Sequence, residues 1–269
     1  MDEGRFSIPA DELYRRLGSA SAPIVVDVRR TPTFDADDRM IVGALRCPPN
    51  DIAAWQRDRG KDAPVVVYCA QGHEVGQDAA ETLRNLGVDA RYLAGGIAAW
   101  VEHGLPTRQK TGATPRQWET RKRPKIDRVA CPWLIRRFID PHAEFLYVPT
   151  ENVFAVAAET GAIAYDIPGA EPFSHDGELC SFDAFIKIYC IADPALDRLA
   201  LIVRGADTGR LDLTPQSPGL LAITLGLSGN CAEDDHGMLE RSMDIYDSLY
   251  AWCRSYQHVT HNWTPLASA

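Results

Sequence analysis

Long apolar runs are missing from this sequence of 269 residues. The longest uncharged stretch, residues 213–232, contains Pro215, Pro218 and Gly219, and it is interrupted too often to cross a membrane. The first residues are acidic and hold no apolar segment of the signal-peptide kind. We therefore expect a cytoplasmic protein with no membrane partner.

Paired cysteine motifs are also missing. The seven cysteines never form a Cys-x-x-Cys pattern, which excludes a zinc ribbon and a thioredoxin-type dithiol. Seven thiols cannot all pair, and we expect most of them to be small buried side chains in a reducing compartment. Any cysteine chemistry must come from a single residue in an unusual position.

Positive charge is in deficit, with 28 Lys and Arg against 37 Asp and Glu and a net charge of −9. Such a chain is not expected to coat nucleic acid with its whole surface. Residues 108–137 are the exception, because they hold ten Lys or Arg and only two acidic residues. No helix-turn-helix pattern accompanies this basic segment, so we expect no DNA partner.

The first hundred residues alternate short apolar runs with helical patterns. Residues 23–27, 64–69 and 90–93 read as buried strands, and residues 77–86 read as a helix between the last two. This alternation predicts an α/β fold with a doubly wound parallel sheet. Ligand sites in such sheets lie beyond the carboxyl ends of the strands, where Asp27 and Cys69 stand.

Cys69 is the residue whose sequence context points most clearly to a reactive side chain. It ends a buried strand and precedes a glycine-containing loop and a helix, so several backbone N–H groups are expected to converge on its sulfur. These dipoles favour the thiolate and make it nucleophilic, and they would equally hold an anionic sulfur species. The alternative is an ordinary core cysteine beside a turn.

Five short segments, in the order in which they occur along the chain, resemble the single-domain rhodanese family of sulfurtransferases over roughly residues 5–107. The segments are residues 27–29, residues 42–44, the Cys69 loop, residues 93–100 and residues 104–106. The resemblance implies that Cys69 attacks a small sulfur donor and carries a persulfide to a thiol or protein acceptor, with no cofactor. It implies an ion pair of structural role for Asp27 and Arg29. It also implies a substrate-holding loop formed by Ala70, Gln71, Gly72, His73, Glu74, Val75 and Gly76.

The loop departs from the family at two positions. Many active rhodaneses have Arg five residues after the cysteine and Ser or Thr next, where this sequence has Glu74 and Val75. A carboxylate there would repel thiosulfate and disfavour the Cys69 thiolate. We therefore expect a neutral or cationic donor, or a protein persulfide. His73 is a candidate acid/base partner, and its alternative is a solvated loop histidine.

The second half reads as mainly helical, with helices expected near 132–139, 181–190, from 194, from 218 and over 233–257. The basic segment places Arg128, Arg136 and Arg137 near a helix start. Cationic side chains beside the N-terminus of a helix favour the binding of an oxyanion. A solvated basic face over an apolar core explains the same residues equally well.

A metal site is a second candidate in this half. On the last helix His236, Glu240 and Asp244 follow at steps of four, and His175 stands in a loop that could complete the ligand set. A metal ion held by His175, His236 and Glu240 is one interpretation. The charged face of a surface helix is the other, and charge rows of that kind are common.

Residues 127–140, 173–176, 180–183 and the His236 helix together resemble the C-terminal domain of the chromate-resistance protein B family, over about residues 118–257. We therefore expect a rhodanese-like domain at 1–107, a linker at 108–117 and a chromate-resistance-type helical domain at 118–269. The predicted function is a sulfurtransferase fused to a domain for chromate resistance or oxyanion stress. The alternative is a catalytically silent sensor that binds chromate or sulfate.

Overall fold

The computed structural model describes residues 4–57, 63–110 and 116–260. The strands of the N-terminal half are β1 (Ser7–Ile8), β2 (Ile24–Asp27), β3 (Arg39–Ile41), β4 (Leu45–Arg46), β5 (Val65–Tyr68), β6 (Ala90–Leu93) and β7 (Thr107–Gln109). Five of them form a parallel sheet in the order β1-β6-β5-β2-β4, and β3 pairs antiparallel with β7. The helices of this half are α1 (Ala10–Arg16), α2 (Thr31–Asp35), α3 (Ile52–Arg57), α4 (Glu74–Asn85) and α5 (Gly96–Glu102).

Alternation along β5 explains why this sheet is covered on both faces. Val65 and Val67 pack with the buried residues of α3 and α4, whereas Val66 and Tyr68 pack into a second core with α1 and α5. A strand buried on both sides must be apolar throughout, as this one is. The α/β fold class predicted for the first half is confirmed.

The second half is mostly helical, as predicted, and it also has a small parallel sheet that the sequence did not suggest. That sheet has the order β10-β8-β9, with β8 (Gln117–Arg121), β9 (Glu144–Val148) and β10 (Ile163–Ala164). The helices are α6 (Asp127–Leu134), α7 (Val153–Thr160), α8 (Ser181–Ile188), α9 (Pro194–Asp207), α10 (Ser217–Cys231) and α11 (Asp235–Ala251). Wider π-helical turns extend α6 through Ile135–Ile139 and α11 through Trp252–Tyr256.

Helix α6 begins earlier than expected. The sequence predicts a helix near residues 132–139 with Pro132 in its first turn, but the helix starts at Asp127 and Pro132 lies inside it. A proline has no N–H to donate to the carbonyl four residues earlier, which here belongs to Arg128. The hydroxyl of Tyr165 donates to that carbonyl instead, at 3.2 Å, so the helix passes the proline with its acceptor satisfied.

The two halves share one hydrophobic core. Leu13 and Trp100 of the first half belong to the same buried cluster as Trp133, Phe138 and Tyr250 of the second. The backbone N–H of Gly43 donates to the carbonyl of Phe138 at 2.6 Å, which ties the halves together directly.

The predicted linker 108–117 is ordered at both ends, because β7 includes Arg108 and β8 begins at Gln117. The N–H of Gln109 donates to the carbonyl of Tyr189 at 2.8 Å. Residues 111–115 lie outside the described residues. Among the helices of the described ranges, none combines the length and apolarity needed to traverse a lipid bilayer.

Candidate active site at Cys69 and a carboxylate cluster in the second half

Cys69 follows β5 directly and its sulfur lies against the first turn of α4. Its side chain is 6% exposed, and the thiol donates a long hydrogen bond to the carbonyl of His73 at 3.9 Å. A Cβ atom added to Gly76 would stand 3.3 Å from the sulfur, so the absence of a side chain there leaves the thiol its space. The sulfur thus faces the positive end of a twelve-residue helix.

Two glycines shape the loop around this sulfur. Gly72 has a φ of +70°, and a Cβ atom there would lie 2.5 Å from the backbone nitrogen of Gly95. Gly96 has a φ of +58°, and its Cβ atom would collide with the carbonyl oxygen of Cys69. Because both positions need a left-handed backbone and close approach, only glycine fits them. The N–H of Ile97 then donates to the Cys69 carbonyl at 3.0 Å.

The loop opens into a cavity of about 210 Å³. Its lining includes the predicted residues Cys69, Ala70, Gln71, His73, Glu74 and Val75, together with Arg29, Arg30 and Thr33. His73 and Glu74 are exposed at the rim. Arg30, which sequence reasoning did not single out, brings a guanidinium to the same cavity and opposes the charge of Glu74.

Asp27 and Arg29 form a buried ion pair beside this site. The Arg29 Nη2 to Asp27 Oδ2 distance is 2.6 Å, and Tyr68 donates its hydroxyl to the same oxygen at 2.8 Å. Arg29 also donates to the carbonyl of Arg39 at 2.7 Å and contacts Asp37 at 3.2 Å. Burial would lower the pKa of Arg29, but the carboxylate of Asp27 outweighs it and raises that pKa, so the guanidinium stays charged.

A second cluster of ionisable groups lies in the second half. The Nε2 atom of His175 stands 3.3 Å from Asp127 Oδ2, 3.3 Å from Asp166 Oδ1 and 3.4 Å from Asp207 Oδ2. Asp127 begins α6 and Asp207 ends α9, whereas Asp166 and His175 belong to the segment between β10 and α8. Three parts of the chain therefore meet at one nitrogen.

The pKa values of Asp127 and Asp166 shift in opposite directions. Burial raises the pKa of Asp127 well above its usual value, and the carboxylate of Asp166 adds to this. Asp166 is held below its usual pKa although burial acts in the other direction, because His175, Ser181 and Arg128 stabilise its charge. The three carboxylates beside its Nε2 atom, that of Asp127 foremost, raise the pKa of His175 to about 12.

The predicted metal ligands His236 and Glu240 do not join His175. His236 is exposed and packs edge-on against Tyr147, with ring centroids 5.4 Å apart. Glu240 pairs with Arg136 at 2.6 Å. Among the described residues, the group able to hold a metal ion consists of Asp127, His175 and Asp207.

The three arginines of the predicted oxyanion site do not share a site either. Arg128 pairs with Asp166 at 3.3 Å, Arg136 with Glu240, and Arg137 with Asp247 at 2.8 Å. Each guanidinium is therefore neutralised by a different carboxylate. The sequence showed the positive charges of this segment but could not show the acidic partners, which lie up to 110 residues away.

A cavity between the two halves is lined by cationic side chains that take part in none of the ion pairs found among the described residues. This cavity has a volume of about 610 Å³ and is lined by Phe34, Met40, Ala44, Leu45, Arg46, Arg108, Lys110, Arg116, Ile139, Asp140 and His142. Arg108 is 4% exposed, and burial lowers its pKa. Its Nε atom has no hydrogen-bond partner among the residues that the structure describes. Four cationic side chains thus face a single carboxylate, that of Asp140.

Two family models match the chain. The first, described as the C-terminal domain of ChrB, matches residues 118–253, about half of the sequence. The chain belongs to the ChrB C-terminal domain family. The second model, described as a rhodanese-like domain, matches residues 9–103. Both resemblances predicted from the sequence are confirmed.

Two relatives match the two halves of this ChrB-family chain. It is 36% identical over 159 residues to Protein ChrB of Cupriavidus metallidurans, across 59% of this chain and 47% of that protein. It is 35% identical over 99 residues to a sulfurtransferase of Allochromatium vinosum, across 37% of this chain and 91% of that protein. The chain thus spans less than half the length of the Cupriavidus protein.

Two solved structures match the rhodanese-like domain. A rhodanese-related protein from Thermoplasma volcanium is 30% identical, with 38% of this chain and 95% of that chain covered and a TM-score of 0.33. A rhodanese-like domain protein from Staphylococcus aureus is 29% identical, with 35% and 89% covered and a TM-score of 0.32.

Within the ChrB domain, the chemistry that sequence reasoning missed lies at Asp166 and Asp207. Neither residue has a spacing that connects it to His175 in the sequence. The positive φ of Asp166, +52°, marks it as unusual only once the backbone is known.

Proposed function

We propose that this chain is a cytoplasmic sulfurtransferase that carries a persulfide on Cys69 and passes the sulfur to a thiol or protein acceptor. The observation that supports this best is the position of the thiol, which faces the first turn of α4 and a cavity of about 210 Å³. The rhodanese-like match over residues 9–103 supports the same reaction class. The ChrB domain would connect sulfur transfer to oxyanion or redox stress.

The proposed reaction has two displacement steps. The Cys69 thiolate attacks the transferable sulfur of the donor, and a sulfur–sulfur bond forms. The bond from that sulfur to the rest of the donor breaks, and the donor leaves as a thiolate from a persulfide, as sulfite from thiosulfate, or as the enolate of pyruvate from mercaptopyruvate. The acceptor nucleophile then attacks the outer sulfur of the persulfide and releases the Cys69 thiolate. No electrons are supplied from outside and no cofactor is needed, because the sulfur stays on cysteine between the steps.

The rim of the cavity favours a donor other than thiosulfate. Glu74 adds a carboxylate to the lining of this cavity, where it would repel an anionic donor, whereas Arg30 adds the opposite charge to the same lining. A low-molecular-weight persulfide or a protein persulfide carries less charge than thiosulfate. We therefore propose a persulfide as the sulfur donor.

Intact-mass analysis tests this function directly. Exposure to a persulfide, mercaptopyruvate or thiosulfate should add about 32 Da to the wild type, and cyanide should remove the sulfur as thiocyanate. The Cys69→Ala variant should gain nothing, whereas Cys190→Ala, which removes an exposed thiol, should behave like the wild type. Adducts that persist in Cys69→Ala, or no adduct in folded protein with a free Cys69 thiol, would contradict the proposal.

A second candidate function is anion binding in the cavity between the two halves, with or without sulfur transfer. Arg108 favours it, because a buried guanidinium with an unpartnered Nε gains free energy from an anion. An oxyanion such as chromate or sulfate would bind there rather than at Arg128, Arg136 and Arg137.

Thermal unfolding with increasing sulfate or chromate, against chloride at equal ionic strength, tests this candidate. Binding predicts a rise in Tm that saturates with anion concentration. The rise should disappear in Lys110→Met and in Arg108→Met. It should persist in Arg210→Met, because the side chain of Arg210 is exposed beside Glu178. A rise that does not saturate, or that is equal in all variants, reflects general salt effects and would dispose of the site.

A further inference from the structure

Three ligand-type atoms from separate elements surround one small volume in the ChrB domain. One atom each from Asp127, His175 and Asp207 lies within 4.8 Å of the others. The distances from His175 Nε2 to the two carboxylate oxygens are 3.3 Å and 3.4 Å. Around a tetrahedral ion with bonds of about 2.1 Å, neighbouring ligand atoms stand about 3.4 Å apart. The two distances from the imidazole nitrogen match that spacing.

Asp127 supplies an independent observation. Its side chain is 2% exposed, and its Oδ2 atom, which lies 3.3 Å from Nε2 of His175, accepts no hydrogen bond from any of the described residues. A buried carboxylate oxygen without a donor costs free energy unless a cation compensates it. The imidazole cannot fill that role for the whole cluster, because a single Nε2–H can donate well to only one oxygen.

Asp166 is satisfied by other groups and is not needed as a ligand. It accepts the hydroxyl of Ser181 at 2.8 Å and contacts Arg121 and Arg128 at 3.3 Å each. Within the described residues, the ion pairs of Asp127 and Asp207 lead to His175 alone. Two carboxylates therefore depend on whatever occupies the space beside this nitrogen.

We infer that Asp127, His175 and Asp207 bind a divalent transition-metal ion. One imidazole nitrogen and two carboxylate oxygens suit Mn²⁺, Fe²⁺, Co²⁺ or Zn²⁺, and the absence of a sulfur ligand from the group disfavours Cu⁺. Three protein ligands leave at least one coordination position for water or an oxygen ligand. Asp166, which Ser181 and two arginines orient, lies 3.3 Å from the same Nε2 atom and borders the proposed site.

Metal titration of full-length protein without a histidine tag tests this inference. After treatment with a chelator, Zn²⁺ should bind at one ion per chain by calorimetry and elemental analysis, and Co²⁺ should give the visible absorption of a coordinated ion. His175→Ala and Asp207→Asn should each weaken Zn²⁺ binding by about 100-fold or more, in line with the loss of one ligand. Asp207 is only partly buried, so its isosteric amide keeps the test usable if Asp127→Asn fails to fold.

The matched controls are His236→Ala and Glu240→Gln. Each removes an imidazole or a carboxylate, as the test variants do, but from a residue outside the cluster. Both should bind Zn²⁺ as the wild type does. Zn²⁺ binding that survives in His175→Ala and Asp207→Asn, or that is lost in the controls, would overturn the assignment. So would folded wild-type protein that takes up none of the four ions. Neither result depends on the chemistry of Cys69.

Discussion

Tyr14 donates its hydroxyl to Oδ1 of Asp193 at 3.1 Å, and this hydrogen bond joins the rhodanese-like domain to the ChrB domain. Asp193 is 1% exposed and also accepts the hydroxyl of Tyr250 at 2.6 Å and the N–H of Ala195 at 2.8 Å. A fully buried carboxylate with three donors, one from the other half, makes the two domains depend on each other. We expect them to unfold together.

Alkaline pH should weaken this connection. Burial, with the charge of Asp193 beside it, raises the pKa of Tyr14 to about 12. An unfolded tyrosine ionises near pH 10. The stability that Tyr14 provides is therefore complete below pH 10 and is lost as the pH rises toward 12.

Urea unfolding at pH 8 and pH 11 measures this effect. Between these two pH values the wild type should lose more free energy of unfolding than Tyr14→Phe does. Because Tyr14 is only partly buried, this difference should be about 1 kcal/mol. Tyr256→Phe, which alters an exposed ring, should match the wild type. Equal pH dependence in wild type and Tyr14→Phe would contradict the prediction.

Removal of the Arg254 side chain should destabilise the whole chain. Its guanidinium donates to the carbonyls of Tyr14, Arg15 and Leu17 at 2.9 to 3.0 Å, at the end of α1 in the other domain. We expect Arg254→Ala to lower the free energy of unfolding by about 2 kcal/mol, because two partly buried carbonyls and one exposed carbonyl lose a charged donor. Urea denaturation followed by tryptophan fluorescence gives the measurement.

The control for Arg254 is Arg210→Ala, which removes an exposed contact with Glu178 at 3.4 Å. Such surface pairs contribute little, so its change should stay below about 0.5 kcal/mol. Similar losses in the two variants, or a second separate transition in Arg254→Ala, would show that the domains are not coupled through this residue.

A methyl group beside the Cys69 sulfur should slow its reactions without unfolding the protein. In Gly76→Ala the new Cβ atom would stand 3.3 Å from the sulfur, in a helical backbone that accepts alanine. We expect persulfide formation and iodoacetamide alkylation of Cys69 to slow several-fold while Tm changes little. Gly229→Ala, in open space on α10, should leave the thiol rate unchanged and raise stability by about 0.5–1 kcal/mol. An unchanged Cys69 rate in Gly76→Ala would count against this geometry.

Charge reversal at Glu74 should improve the reaction with thiosulfate. The change to Arg replaces a repelling carboxylate at the rim of the cavity with a cation, and a tenfold gain in rate corresponds to about 1.4 kcal/mol of electrostatic free energy. We expect sulfite release from thiosulfate to rise by roughly that factor in Glu74→Arg and less in Glu74→Gln. Glu81→Arg makes the same change elsewhere on α4 and should have no effect. A rise in Glu81→Arg equal to that in Glu74→Arg would assign the effect to net charge.

Several elements could be predicted because their patterns are local. The apolar run of residues 64–69 forms β5 and ends at Cys69. Asp193-Pro194 begins α9, and there the Asp193 side chain accepts the N–H of Ala195 at 2.8 Å. The start of α6 was misplaced, because Pro132 is tolerated inside the helix only through the hydroxyl of Tyr165. That compensation comes from a residue 37 positions away.

The sequence by itself determined the two families, the parallel α/β fold of the first half and the position of Cys69 at the end of a strand. Each of these depends on residues that are close together in the chain, where periodicity and spacing act directly. Tertiary structure alone decided that Arg136 and Arg137 are neutralised by Glu240 and Asp247, and that Asp127, His175 and Asp207 meet. Side chains that are about 30 to 110 residues apart come together only through packing of the shared core, and no local pattern records which of them will meet.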